Sequence, residues 1–226
     1  MSRRIKVLGG QAETLPIKDP KLLSAFMRYL LLQYEHTKDS SKTRKYQAYR
    51  NYMLALIGIN TAFRAEDLLQ LRVADVIDGY MHIKENKTGK MQNFKINGKL
   101  HEDIKKYVEK NGLTRSDYLF MGQKKTQTYN GRSYPIIYPI TRQQGHRIIH
   151  TAGRAVGIYF VFGLHSLRKT FGYHYILNGG KPDTLMKMYN HDDYDYTKRY
   201  VHWGTEDAEK DREAVYLGAV HKNKNI

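Results

Sequence analysis

Cysteine is absent from the 226 residues, so no disulfide framework, thiolate metal site or cysteine nucleophile is available to this chain. Long apolar runs are missing too. The longest, Tyr52 to Ile59, falls far short of the roughly 18–20 residues that cross a bilayer as a helix. The amino-terminal Met-Ser-Arg-Arg-Ile-Lys-Val-Leu-Gly-Gly is basic, but its apolar stretch is too brief for a secretory signal. Acidic residues are scarce, 22 against 38 Lys plus Arg, which leaves a formal charge of +16. A hydrophobic fraction of 41% with 12% aromatics is too apolar for a disordered tail and ample for a core. The expectation is a soluble, cytoplasmic globular protein whose excess charge seeks a polyanion.

The charge is patterned as well as large. Residues 81 to 100 carry lysines 84, 87, 90, 95 and 99 with a single acid, Glu85. Residues 121 to 147 carry Lys124, Lys125, Arg132, Arg142 and Arg147 with no acid. Acids instead gather between Thr205 and Ala214. Basic patches on a mixed surface are the electrostatic footprint of nucleic-acid binding, and the 19 tyrosines add stacking surface. A solvated basic surface kept for solubility is the alternative.

Hydrophobic spacing predicts a mostly helical chain. Asp19-Pro20 reads as an N-cap followed by proline at the first helical position. Leu22, Leu23, Phe26, Leu30 and Leu31 then recur at helical spacing. A second helix carries Tyr46, Tyr49, Met53, Leu56 and Ile57 inward, and a short one runs from Ala65 to Leu71. Tyr80 to Lys84 and Met91 to Ile96 read as two strands joined at Asn86-Lys87-Thr88-Gly89. Further helices are expected over about 100–110, 141–156 and 165–178, with two or three short ones to finish. Residues 121 to 140 show no periodicity and read as the loosest part of the chain. The expected fold class is α+β, mostly helical, with one small antiparallel sheet.

The most informative segment is Gly163-Leu164-His165-Ser166-Leu167-Arg168. On a helix, positions 165 and 168 share a face. A planar guanidinium there suits bidentate binding of phosphate oxygens, and an imidazole beside it can move a proton near neutral pH. Alone, His-x-x-Arg is common by chance. Upstream, Thr61-Ala62-Phe63-Arg64-Ala65-Glu66-Asp67-Leu68 places an arginine where a helix begins. Downstream, Asn190-His191-Asp192-Asp193 is followed by Tyr200-Val201-His202. His191 with the two acids suggests a metal site only weakly, because adjacent side chains diverge and no third ligand group is evident; no metal or other cofactor is expected.

Together these segments resemble the catalytic domain of the tyrosine recombinases, the phage integrase family. That family uses Arg-x-x-[Glu/Asp]-Leu, a hairpin lysine, His-x-x-Arg, a second histidine and a tyrosine about nine residues later. Arg64 with Asp67 and Leu68, Lys87, His165 with Arg168, His191 and Tyr200 fill these places in order over most of the chain, from about Lys18 to His202. Lys84 and Lys90 rival Lys87; Tyr194 and Tyr196 lack the nine-residue interval.

The resemblance implies DNA cleavage and rejoining through a 3′-phosphotyrosyl intermediate, without metal or ATP. Tyr200 is then the nucleophile, Arg64 and Arg168 stabilise charge on the phosphate, Lys87 protonates the leaving 5′-oxygen, His165 assists proton transfer and His191 positions the phosphate. Double-stranded DNA, a homotetramer on synapsed sites and accessory DNA-bending proteins are the implied partners, at the nucleoid. Lys90, Lys124, Lys125, Arg142 and Arg147 are the expected DNA-binding residues.

Two departures stand out. Asn190 occupies the place where the family usually has glycine, and asparagine tolerates the left-handed backbone such a turn needs. Only about 18 residues precede the first catalytic-domain helix. The chain reads as a catalytic-domain-only recombinase of the fimbrial-switch type, or as a domain cut from a longer protein. The expected organisation is a lead segment 1–17, a catalytic domain 18–204 and a tail 205–226 that docks on a neighbouring protomer. A type IB topoisomerase-like relaxing enzyme and a non-catalytic DNA-binding regulator remain the alternative functions.

Overall fold

The structure is a computed structural model. It describes residues 13–191 and, beyond them, residues 197, 198, 201, 202, 204, 207, 209, 212 and 213; at 124, 125, 129 and 135 only the backbone is described. Its elements follow the order α1 (Pro20–Glu35), α2 (Lys42–Asn60), α3 (Ala65–Leu69), a short 3-10 turn (Val73–Asp75), β1 (Tyr80–Lys84), β2 (Met91–Lys95), α4 (Gly98–Lys110), β3 (Met121–Tyr129), β4 (Arg132–Pro139), α5 (Arg142–Ala155), α6 (Leu164–Leu177) and α7 (Pro182–Tyr189).

Helix starts follow their capping chemistry. The Asp19 carboxylate accepts from the Lys21 amide at 2.8 Å, ahead of Pro20. Thr141 and Gln144 each bond the other's backbone at the start of α5. Each such cap contributes about 1 kcal/mol and, more usefully here, fixes where a helix begins.

The core surrounds α2, whose Met53, Leu54, Ala55 and Ile57 are fully buried. A helix buried on several sides has no single apolar stripe, which is why inward positions at 46, 49, 53, 56 and 57 describe only part of it. Helix α6 crosses α2 closely at Gly58, where a Cβ would lie 2.6 Å from Leu167 Cδ1. Phe26, Leu68, Leu71, Phe120, Ile149 and Phe162 complete the same cluster. At about 1.5–3 kcal/mol for each large side chain removed from water, this burial dominates the folding energy.

Strands β1 and β2 pair antiparallel from Tyr80↔Lys95 to Lys84↔Met91. Alternation along β1 buries Met81 and Ile83, and the same phase carries Glu85 inward. The segment 121–140 is not the loose stretch that its sequence suggested. It forms a second antiparallel hairpin, β3–β4, with Tyr129↔Arg132 at its end. The turn is Asn130-Gly131, both with positive φ, 49° and 72°. Asn-Gly adopts this geometry at little cost, and it matches the twist of the flanking strands. The hairpin escapes a periodicity test because most of it stands in solvent, with no buried face to impose alternation.

Candidate active site

Arg64 is the N-cap of α3, with extended backbone (φ −68°, ψ 155°) that turns its side chain away from the helix it starts. Its Nη1 donates to Glu85 Oε2 at 2.7 Å and its Nη2 to the Tyr189 carbonyl at 3.3 Å. Arg168, one turn into α6 and 2% exposed, donates its Nη2 to the same carbonyl oxygen at 2.9 Å. Two guanidinium groups 104 positions apart in sequence thus meet at one oxygen. Like charges this close repel, so the arrangement requires counter-charge and fixed geometry.

Glu85 supplies the counter-charge. It is 2% exposed and accepts from Arg64, from the Thr88 hydroxyl at 2.6 Å and from the Gln92 amide. Burial alone would raise its pKa; hydrogen bonds from Thr88 and Arg64 outweigh burial and hold it below the usual carboxylate range. Asp67, by contrast, does not pair with Arg64. Its Oδ1 accepts from the Asn86 amide at 2.9 Å, and burial raises its pKa.

Both acids therefore grip the turn that carries Lys87. Asn86 is tied to Asp67, Thr88 to Glu85, and the Gly89 amide to the Glu85 carbonyl at 2.9 Å, with Gly89 at φ +68°. Lys87 itself is exposed at the tip of this anchored turn.

Tyr189 provides the fixed geometry. Its ring lies under the Arg168 guanidinium, 4.4 Å from the centroid, and its hydroxyl donates to the Arg168 carbonyl at 2.6 Å. Gly172 makes room for it: a Cβ there would stand 2.1 Å from the Tyr189 hydroxyl oxygen. After Tyr189 the chain reverses through Asn190, which takes the left-handed conformation (φ 50°, ψ 44°). The Asn190 amide bonds the Lys187 carbonyl and the His191 amide bonds the Met186 carbonyl, both at 3.1 Å. That pair of bonds is a Schellman closure, usually built on glycine, and asparagine sustains it here. His191 is delivered with its ring 5.1 Å from that of Tyr189 and its Nδ1 3.0 Å from Thr197 Oγ1.

His165 sits in the first turn of α6, behind Gly163. A Cβ at Gly163 would fall 2.4 Å from His146 Nδ1, so glycine lets α5 and this helix start approach. Burial lowers the His165 pKa, and the Arg142, Arg168 and Lys169 cations lower it further. The ring is therefore neutral near pH 7. Its buried Nδ1 has no hydrogen-bond partner among the described residues.

The remaining sequence-derived residues are spread more widely. Lys90 is exposed where the β1–β2 turn ends. The backbones of Lys124 and Lys125 lie in β3, opposite Ile137 and Ile136. Arg142 opens α5 and makes an exposed ion pair with Glu66 at 3.3 Å. Arg147 lies further along α5, lining a groove with Arg44 and Asn51. Tyr200 lies outside the described residues, and its neighbour Val201 is buried against Gly172. Glu85 and Tyr189 are the residues that sequence reasoning missed. A lone acid in a lysine-rich stretch, in phase with Met81 and Ile83, was the available signal for the first.

What this arrangement can do chemically is bind an oxyanion. Two fixed guanidinium groups converge, with a neutral imidazole one helical turn from the second and an exposed ammonium on an anchored turn beside the first. A family model described as the phage integrase family matches residues 31–206. A probable integrase/recombinase, YoeC of Bacillus subtilis (strain 168), is 34% identical over 153 residues, 67% of this chain and 77% of that protein. Among solved structures, XerA recombinase superposes with a TM-score of 0.64 at 16% identity, over 93% of this chain and 68% of that one. The XerH site-specific recombinase bound to palindromic difH substrate gives 0.61 at 19%, over 88% of this chain and 53% of that one. At these identities the structural likeness establishes a common fold, while the family match and the Bacillus relative establish descent. The chain belongs to the phage integrase family, the tyrosine recombinases.

Proposed function

We propose that this chain is a site-specific DNA recombinase that cuts and rejoins strands through a 3′-phosphotyrosyl intermediate. The observation that carries the reading is the convergence of Arg64 and Arg168 on the single Tyr189 carbonyl oxygen. A scissile phosphate replaces that neutral oxygen with anionic ones, and charge developing on its nonbridging oxygens meets donors already aimed.

The Tyr200 hydroxyl oxygen attacks phosphorus and the bond to the 5′-oxygen breaks. The tyrosine proton passes to neutral His165, and the departing 5′-oxygen takes a proton from Lys87. His191 hydrogen-bonds the phosphate. Attack by a 5′-hydroxyl of another strand reverses each transfer, so the bond energy is conserved and no ATP is consumed. Two guanidinium groups supply the charge neutralisation that a divalent metal supplies in many nucleases, and no metal is required.

Double-stranded DNA is the substrate, held along its backbone by Lys90, Lys124, Lys125, Arg142 and Arg147. Two such duplexes assemble a homotetramer, with accessory DNA-bending proteins where the site demands them, at the nucleoid in the cytoplasm. Residues 18–204 form the catalytic domain, with residues 13–17 packed against it. The tail, residues 205–226, docks on a neighbouring protomer. Its acceptor is a cavity of about 540 Å³ lined by Ala62, Met81, Met91, Phe94, Phe171 and Met188, with Lys95 and Lys187 also lining it. Those lysines suit the acids Glu209, Asp211 and Glu213, which follow Asp207 in the tail.

The test is a nicked DNA substrate carrying candidate attachment sites, incubated without metal and resolved under denaturing conditions. A covalent protein–DNA band that Tyr200→Phe abolishes supports the reading. Cleavage that persists in Tyr200→Phe, or that requires added Mg²⁺, refutes it.

A further inference from the structure

Residues 13–18 bond α6 and the loop before it repeatedly. The Leu15 amide donates to the Val161 carbonyl at 3.0 Å, and the Ile17 amide to Thr170 Oγ1 at 2.9 Å. The Ile17 side chain is fully buried in the main core, and His174 Nε2 is 2.9 Å from the Ile17 carbonyl. A segment held this firmly is part of the domain's architecture.

The same six residues also hold the chain on the far side of Tyr200. Lys169, the residue after Arg168, is 3% exposed; its ammonium donates to Glu13 Oε1 at 2.5 Å and to the Thr14 carbonyl at 2.8 Å, and lies 3.3 Å from His202 Nε2. Glu13 Oε1 is 3.4 Å from that same histidine nitrogen. A little further on, Lys18 donates to Asp207 Oδ2 at 2.8 Å; Tyr173 donates to the other carboxylate oxygen at 2.7 Å, and the Gly204 amide to Oδ2 at 2.9 Å. Asp207 is 6% exposed.

Tyr200 is followed within seven residues by two anchor points, His202 and Asp207, and each is held by a residue of the 13–18 segment together with a side chain of α6. Helix α6 also carries His165 and Arg168. Removing Glu13 takes away the carboxylate that the buried Lys169 ammonium shares with His202, and the hold on His202 weakens with it.

We propose that residues 13–18 act as a strap that fixes the Tyr200-bearing segment to α6, making Glu13 and Lys18 positioning residues for the attacking hydroxyl. This rests on the reading of Tyr200 as nucleophile. It also makes cleavage sensitive to whatever pulls on the chain before residue 13, a mechanical link between the amino-terminal side of the domain and its nucleophile.

The experiment compares wild type, the double variant Glu13→Gln/Lys18→Met, Lys18→Met alone and Lys18→Arg in single-turnover cleavage of a nicked substrate at saturating DNA. Affinity for the same duplex is measured alongside. Lys18→Met, which removes the partly exposed ion pair with Asp207 and the cation–π contact with Tyr173, guards against a double variant that fails to fold. The strap predicts cleavage slowed about tenfold in the double variant and about threefold in Lys18→Met, a near wild-type rate in Lys18→Arg, and duplex Kd within twofold throughout. Equal rates in all four proteins overturn the proposal, as does a defect confined to Kd. No covalent complex in wild type, or one that persists in Tyr200→Phe, refutes the nucleophile assignment instead, so the two failures are distinguishable.

Discussion

Replacing Glu85 by glutamine keeps the volume of the side chain and removes one charge from the centre of the site. The consequence follows from burial: Glu85 is 2% exposed, and its carboxylate faces Arg64 at 2.7 Å. Removing one partner of a buried ion pair typically costs about 3–5 kcal/mol. Arg64 retains some solvent access, with 19% of its side chain exposed, so the lower end, about 3 kcal/mol, is the expected loss. For a domain of this size that corresponds to a Tm lower by about 6–12 °C. The pH dependence has a definite sign. Because the folded state holds the Glu85 carboxyl below its ordinary range, its contribution is present in full above about pH 4.3, the ordinary glutamate value, and disappears as pH falls through the lower folded value. Wild type and Glu85→Gln should therefore differ most near neutrality and converge in acid. Thermal melts from pH 7 down to the acid limit of solubility test this directly. Cleavage carries an independent signature, since Arg64 and the Lys87 turn both lose an anchor. Misplacement on the ångström scale costs about a hundredfold in rate. A variant that melts with wild type at pH 7 and cleaves at the wild-type rate would refute the role given to Glu85.

Lys87→Ala should cleave ordinary DNA at least a hundredfold more slowly, yet recover most of the rate on a substrate whose leaving 5′-oxygen is replaced by sulfur, because a thiolate departs without a proton; no recovery removes Lys87 from that role. The acid limb of the wild-type cleavage profile should have its midpoint below about pH 6.5, the ordinary histidine value, because burial and neighbouring cations lower the pKa of His165; a midpoint above that value contradicts His165 as proton acceptor. Exchanging Lys124, Lys125, Arg142 and Arg147 for glutamine together should flatten the slope of log K against log salt by about 0.9 for each phosphate that is no longer neutralised, and an unchanged slope removes these residues from the DNA interface.

Much of the helical framework was legible because its signals are local. Asp19-Pro20 and Thr141 announce helix starts through side chains that must satisfy nearby amides, and Tyr80–Lys84 alternates because one of its faces is buried. The β3–β4 hairpin carries an equally local signal, Asn130-Gly131, but its exposed strands offer no periodicity to flank it. At the site, the arginines could be named from their motifs, but what they touch could not. Tyr189 contributes a backbone oxygen, which no residue type advertises, and Arg64 pairs with Glu85 rather than with its motif neighbour Asp67. Such pairings depend on how α3, β1 and α7 pack together, a long-range outcome that spacing along the chain does not encode.

The Tyr189 carbonyl can be viewed as a resident placeholder. A neutral oxygen satisfies one donor from each guanidinium and keeps two like charges facing one point before any substrate arrives. On the proposed function, DNA meets a cradle already assembled, and binding becomes an exchange of acceptors rather than the building of a site. Such an exchange discriminates by charge, since an anionic oxygen gains far more from two guanidinium groups than the amide oxygen loses. On the same proposal it also runs in reverse: once the strands are rejoined and the phosphate withdraws, the carbonyl takes back its two donors, and the enzyme returns to its starting state without having to refold its active site.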